Sequence, residues 1–194
     1  MDRTLLQTSE TDQMSDPVKT NIDRIQPYER NPRHSANQEY DRIKDSIRHN
    51  GLDQPLVITQ RPDCSDYVVH SGGNTRLIIL KELFAETGEA RFGEILCVIT
   101  PWKGESSVVL AHLRENDLRG NLIFIDRARA LEDARQLLAE ELDVRSLTQR
   151  QFEQELCKAG YRLNRPGLSL MTYAVQTLSE LIPVALDGGL GRDP

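Results

Sequence analysis

The chain has 194 residues, 38% of them hydrophobic and 28% charged, with a net charge of −6, which suits one ordinary domain or a larger domain plus a small one. No stretch approaches the roughly 18 consecutive apolar residues of a membrane span, and MDRTLLQTSETDQMSDPVKT at the N-terminus has no apolar run resembling a signal sequence. Cys64, Cys97 and Cys157 are far apart and form no CxxC pair, which points to a reducing cytoplasm without a disulfide framework.

Residues 1 to about 20 are polar and aperiodic and are expected to form a disordered tail. IDRIQPYERNPRHSANQ then reads as an extended entry with turns. Ser35 with Gln38 makes a capping-box pattern, and Tyr40, Ile43 and Ile47 share one helical face up to the stop at Gly51. PLVITQ (Pro55–Gln60) and YVVHS (Tyr67–Ser71) read as strands joined by the turn-rich RPDCSD. After Gly72-Gly73 a helix TRLIILKELFAETG runs to Gly88, followed by a buried strand EILCVIT, where Cys97 is a small core residue. Two helices follow, ESSVVLAHLREN and a longer one from about Asp126 to Glu141, with Ala128, Leu131, Ala134 and Leu138 on its inner side.

The last fifty or so residues form a separate helical unit. Thr148 and Gln151 make a second capping box, and Leu147 with Phe152 a hydrophobic staple. That helix ends near Gly160, and a second is expected to start with Ser169 as its cap and to carry Leu170, Ala174, Leu178 and Leu181 inward. Two helices around a basic loop fit a helix-turn-helix, and a plain helical hairpin fits the same pattern. The end of the chain, LGRDP, offers no closing element, so a C-terminal truncation is expected.

The acidic average argues against a nucleic-acid partner, but it hides a local excess. From Val144 to Gln176 five basic residues (Arg145, Arg150, Lys158, Arg162 and Arg165) face two acidic ones (Glu153 and Glu155), so this segment is +3 and the rest −9. DNA contact and an ordinary solvated surface both accommodate that pattern.

Three short stretches carry chemistry. SGGNTR, Ser71 to Arg76, lies between a strand and a helix. Backbone N–H groups at a helix start favour an anion, and glycines remove the Cβ atoms that would hold a phosphate off. Arg76 can add a bidentate contact, and Asn74 and Thr75 side-chain donors; a plain structural turn is the alternative. There is neither a GxxxxGK[ST] loop nor a GxGxxG fingerprint. ENDLRGNL places Glu115, Asn116 and Arg119 at a helix end, a set able to hold a nucleotide phosphate with its Mg²⁺ or simply an exposed ion pair. NGLDQPLVI offers Gly51 for a turn, Gln54 for a base edge and Pro55 for a rigid strand entry.

In this order, with NPR at Arg33 ahead of them and a helical pair behind, these motifs resemble the N-terminal domain of ParB-type chromosome and plasmid partition proteins, which typically show G-[LI]-x-Q-P, G-E-R-R and E-N-x-x-R. The resemblance runs from about Ile22 to Val184. It implies an α+β fold, a ParB/sulfiredoxin-like N-terminal domain followed by an all-helical helix-turn-helix domain, divided as 1–20, 21–122 and 123–194. It also implies a CTP site with Mg²⁺ and slow CTP hydrolysis, in a homodimer that clamps double-stranded DNA and works with a partition ATPase.

By position, Gly72, Gly73, Asn74, Thr75 and Arg76 would surround the triphosphate, and Arg33 would be a further phosphate contact. Glu115, Asn116 and Arg119 would complete the phosphate and Mg²⁺ side, with Glu115 catalytic. Gly51, Leu52, Gln54 and Pro55 would lie near the nucleobase, and Arg150, Arg162, Arg165, Ser169 and Thr172 would face DNA. GGNTR departs from G-E-R-R by lacking the acidic residue and one arginine, as in a divergent branch carried by a mobile element. The connection AGYRLNRPG is longer than the usual three- or four-residue turn.

Sulfiredoxin itself carries a nucleophilic cysteine in a GGCHR-like loop. Asn74 and Thr75 stand here instead, and an amide cannot become a thiolate. The four histidines show no HxxxH or HExxH spacing. Two alternatives remain open: a metal-dependent nuclease on the same scaffold, for which Asp63, Asp66 and Glu115 are scattered candidates, and a nucleotide-independent DNA-binding adaptor.

Overall fold

The structure, a computed structural model, describes residues 16–33, 37, 39–120 and 122–191. Five strands, β1 (Val18–Asn21), β2 (Ile25–Gln26), β3 (Leu56–Gln60), β4 (Tyr67–Val69) and β5 (Glu94–Ile99), form one sheet in the order β1-β5-β3-β4-β2. β3 is central and buries Leu56, Ile58 and Thr59. It runs parallel to β5, with Leu56 opposite Cys97, and antiparallel to β4, with Ile58 opposite Val69.

The edge strand β1 lies within the stretch expected to be a tail. It pairs antiparallel with β5, Val18 opposite Cys97, yet Val18, Lys19 and Asn21 are exposed. Backbone hydrogen bonds rather than buried side chains hold such an edge, so no apolar period marks it in the sequence. β2 is shorter still, two residues, and runs parallel to β4.

Helix α1 (Tyr40–Asn50) begins later than expected, at Tyr40. The Ser35–Gln38 capping box falls outside the described residues. Gly51, at φ +79°, ends this helix, and Ile47 is its buried residue. Helix α2 (Asn74–Thr87) starts directly after Gly72 and Gly73, both in the left-handed region at φ +51° and +92°. It buries Leu77, Ile79, Leu80 and Leu83. A one-turn helix α3 (Ala90–Gly93) leads into β5.

Then come α4 (Glu105–Leu118), α5 (Phe124–Glu141), α6 (Gln149–Lys158) and α7 (Arg165–Tyr173). The backbone widens to a π turn over Ala174–Leu178 and closes with the short helices α8 (Ser179–Leu181) and α9 (Pro183–Asp187). Along α5, Ala128, Leu131 and Ala134 are buried, and Leu137 lies deeper than Leu138. The Thr148–Gln151 capping box is present, and Leu147 and Phe152 are both buried beside it.

Helix α7 corrects the expected cap. Asn164 caps it through Oδ1, which accepts from Gly167 N at 2.9 Å, and Pro166 occupies the first turn. Proline at that place loses no intrahelical bond. Leu168, Met171 and Ala174 therefore point inward, while Leu170 and Leu181 are exposed. The connection between α6 and α7 shortens to Ala159–Asn164.

Two hydrophobic cores result. One joins the sheet to α1, α2 and α3 through Ile22, Ile25, Ile47, Leu56, Leu80 and Phe92. The other joins α4 to α5, α6 and α7 through Val109, Leu113, Leu131, Phe152 and Leu168, and it includes Tyr28. Helix α4 thus packs its apolar side chains in the helical core rather than against the sheet.

Candidate functional site

A cavity of about 610 Å³ opens where β4 turns into α2. The glycine loop, the α4 end and the segment after α1 all reach it. Gly72, Gly73, Asn74, Thr75 and Arg76 line it from the glycine loop, Glu115, Asn116 and Arg119 from the end of α4, and Gly51, Leu52 and Gln54 from the segment after α1, together with Arg33. Pro55 does not line it: the residue turns the chain into β3 and stops short of the cavity.

The first turn of α2 is uncapped by any side chain. Its first bond of the α-helical kind is Leu77 N to Gly73 O at 2.8 Å. The N–H groups of Asn74, Thr75 and Arg76 therefore make none within the helix, and partial positive charge collects there. A Cβ on Gly72 would overlap Glu115 Oε2, so the carboxylate rests directly against that glycine. Glu115 also accepts from Arg119 Nη2 at 2.5 Å.

Arg76 folds back across the loop. A Cβ on Gly73 would lie 3.3 Å from its Nη2, and its Nη1 donates to Gln54 O at 3.0 Å. Burial lowers the Arg76 pKa from its ordinary value, Glu115 opposes that shift, and Arg119 adds to it. A guanidinium withdrawn from water and tied to a carbonyl is primed for an anion.

Asn74 lines the cavity and also carries a structural contact. Its Nδ2 donates to Tyr28 O at 2.9 Å, and its Oδ1 accepts from Tyr28 N at 3.0 Å. The second N–H of Nδ2 and the backbone N–H remain for an anion. Asn74 thereby ties the segment carrying Asn31 and Arg33 to the glycine loop.

His112 escapes spacing rules that look for metal ligands. It is 1% exposed and lines the cavity. Its ring stacks on Tyr28 at 5.0 Å between centroids and 14° between planes, and Nε2 lies 3.0 Å from Val69 O. Because a carbonyl only accepts, Nε2 carries the proton. Burial pulls its pKa down to about 4, the Val69 carbonyl opposes that, and His70 reinforces it. The sequence does hold a signal for it: His112 lies three and four residues before Glu115 and Asn116, on the same helical face. Asn31, the first residue of the NPR motif, also lines the cavity, as do Arg42, Ile43 and Ser46, which no motif marks in the sequence.

The basic candidates lie elsewhere. Arg150, Arg162 and Arg165 are exposed on or between α6 and α7, and Arg165 is paired with Glu153 at 2.6 Å. Ser169 donates to Gln149 Oε1 at 3.2 Å instead of capping α7, and Thr172 is half-buried. Asp63 and Asp66 lie in the β3–β4 connection and do not line the cavity. Among the described residues no group of three or more His, Cys, Asp or Glu side chains is placed to hold a metal ion, and no helix is long and apolar enough to cross a membrane.

A mixed sheet with a glycine-cradled cavity at its strand-to-helix turn, followed by a helical bundle, defines the class. Among solved structures, that architecture is the ParB N-domain fold. Two structures of a pNOB8-like ParB N-domain match with a TM-score of 0.60 and 16% identity each. The first match covers 89% of this chain and 73% of the other; the second covers 93% and 72%. A looser likeness, TM-score 0.43 at 18% identity over 90% of this chain and 86% of the other, is to C-terminally truncated ParB of Caulobacter crescentus complexed with CTP-γ-S. No family profile matches the sequence, and no curated protein matches it.

Proposed function

We propose that this chain is a ParB-like protein of DNA partition or regulation whose N-terminal part binds a nucleoside triphosphate, CTP with Mg²⁺, and whose helical part binds double-stranded DNA. One observation carries the nucleotide half: three motifs far apart in sequence converge on one cavity of about 610 Å³, a volume suited to a small ligand. The uncapped start of α2 and the desolvated Arg76 supply the anion-binding end.

Glu115 and Asn116 fit a metal carried in by the nucleotide. Mg²⁺ is commonly held by one or two carboxylates plus substrate phosphates. Asn116 Nδ2 donates to His112 O at 2.8 Å, which leaves Oδ1 as its donor to a metal. Bound there, the ion would neutralise phosphate charge. Glu115, which rests against Gly72 at the cradle, would orient a water for slow hydrolysis.

Isothermal titration with CTP, ATP, GTP and UTP, with and without DNA, tests the reading. CTP binding is expected, and silence with all four in both conditions sinks the nucleotide half. Arg76→Ala should cost at least about tenfold in triphosphate affinity with an unchanged circular dichroism spectrum. On the DNA half, replacing Arg162 and Arg165 by Ala should weaken duplex binding and flatten the salt dependence by about 0.9 for each phosphate no longer neutralised. An unaltered slope would assign those arginines to a protein partner.

A further inference from the structure

Two buried hydrogen-bond acceptors line the cavity without a donor. His112 Nδ1 and Asn31 Oδ1 are each withdrawn from solvent and have no hydrogen-bond partner among the described residues. The Nε2–H of His112 is committed to Val69 O, and the Tyr28 ring covers one face of the imidazole. Nδ1 is thus a lone pair fixed in direction.

Buried polar atoms are nearly always satisfied, and an orphan on the wall of a cavity points to a group that arrives with the ligand. Phosphate oxygens are acceptors and cannot fill this role. The same cavity also carries donors, the first N–H groups of α2, Arg76 and Arg119. The cavity therefore offers donors for an anion and, besides them, two acceptors that only a donor-bearing group can satisfy.

We propose that His112 and Asn31 select a hydrogen-bond donor on the non-phosphate part of the ligand, a sugar hydroxyl or an exocyclic amine. This rests on the nucleotide reading and adds what that reading lacks, a device that tells a nucleotide from a bare polyphosphate. The donor approaches along the cavity wall and takes the place beside the Tyr28–His112 stack.

The test is a set of titrations of the full chain with CTP, 2′-deoxy-CTP, 2′,3′-dideoxy-CTP, UTP and inorganic triphosphate. A sugar donor predicts a loss of about tenfold or more on removing the hydroxyls, and an amine donor predicts the same loss from CTP to UTP. Asn31→Leu and His112→Phe, close in shape but without the acceptors, should flatten whichever preference the native chain shows. Asn31→Leu keeps the test decisive if His112→Phe fails to fold.

Equal affinity for all four nucleotides overturns the inference, as does a preference that both variants retain. Binding of inorganic triphosphate as tight as that of CTP leaves the anion cradle standing and overturns the selection. If neither inorganic triphosphate nor any nucleotide binds, the nucleotide reading falls and this one with it.

Discussion

The side chain of Asn74 answers Tyr28 atom for atom, donor to carbonyl and acceptor to N–H, as a neighbouring strand would. Asn74→Ala should cost about 1–3 kcal/mol of stability, since it leaves a partly buried N–H and carbonyl unpaired. Asn74→Asp should cost more, because a carboxylate still accepts from the N–H but repels the carbonyl; urea denaturation separates the two. His112 makes a pH-dependent contribution of known sign. Its native pKa of about 4 lies below the ordinary 6.5, so the unfolded chain takes up the proton first as pH falls. Its contribution is intact above about 6.5 and lost progressively down to about 4, by roughly 3 kcal/mol at most. His112→Phe should be destabilised less than the native chain between pH 7 and pH 5, and parallel losses in denaturant unfolding would contradict this. At this scale the sequence shows which residues are present, such as Arg76 and Glu115, but not the pairing of Asn74 with a segment 46 residues away. Only tertiary structure sets that distance.

The glycine pair shows what an element terminus can encode. At φ +51° Gly72 sits where an L-residue is strained, and a Cβ would overlap the Glu115 carboxylate. Gly72→Ala should cost about 2 kcal/mol or more. Adding Glu115→Ala should recover the steric share but not the backbone share, a non-additivity readable in a double-mutant cycle. Elements with strong local signals are legible in the sequence: β3 and β5 from their apolar runs, α2 from the glycines at both ends, α6 from its capping box and staple. The start of α7 is less so, because Ser169 resembles a cap, while Asn164 followed by Arg165-Pro166 is the stronger signal. β1 leaves no local trace, because a polar edge strand owes its existence to its partner β5.

Across the whole molecule, α4 connects the cavity to the helical bundle. Asp117, next to Asn116, accepts from Arg127 Nη2 at 2.6 Å and from the Tyr161 hydroxyl. Arg114 Nη1 donates to Ala159 O at 2.9 Å. Asp117→Asn removes the charge that draws Arg127 and weakens both contacts, so the α6–α7 connection should exchange amide hydrogens faster than in the native chain. Unchanged protection from Ala159 to Asn164 would show that apolar packing alone holds it. The order of motifs makes this architecture legible in outline. The placing of α4 in the helical core is not, because its burial on nearly every side leaves no amphipathic stripe to say which neighbour it prefers.

The cavity therefore lies on the seam between two cores, one wall from the sheet side and the other from α4. An occupant that touches both walls is a mortar as well as a cargo. At a hundred times its dissociation constant it would add about 2.7 kcal/mol to the resistance of the joined state to unfolding. Melting temperature then becomes an assay that works before the ligand is identified: any small molecule that mends the seam announces itself by the heat required to open it.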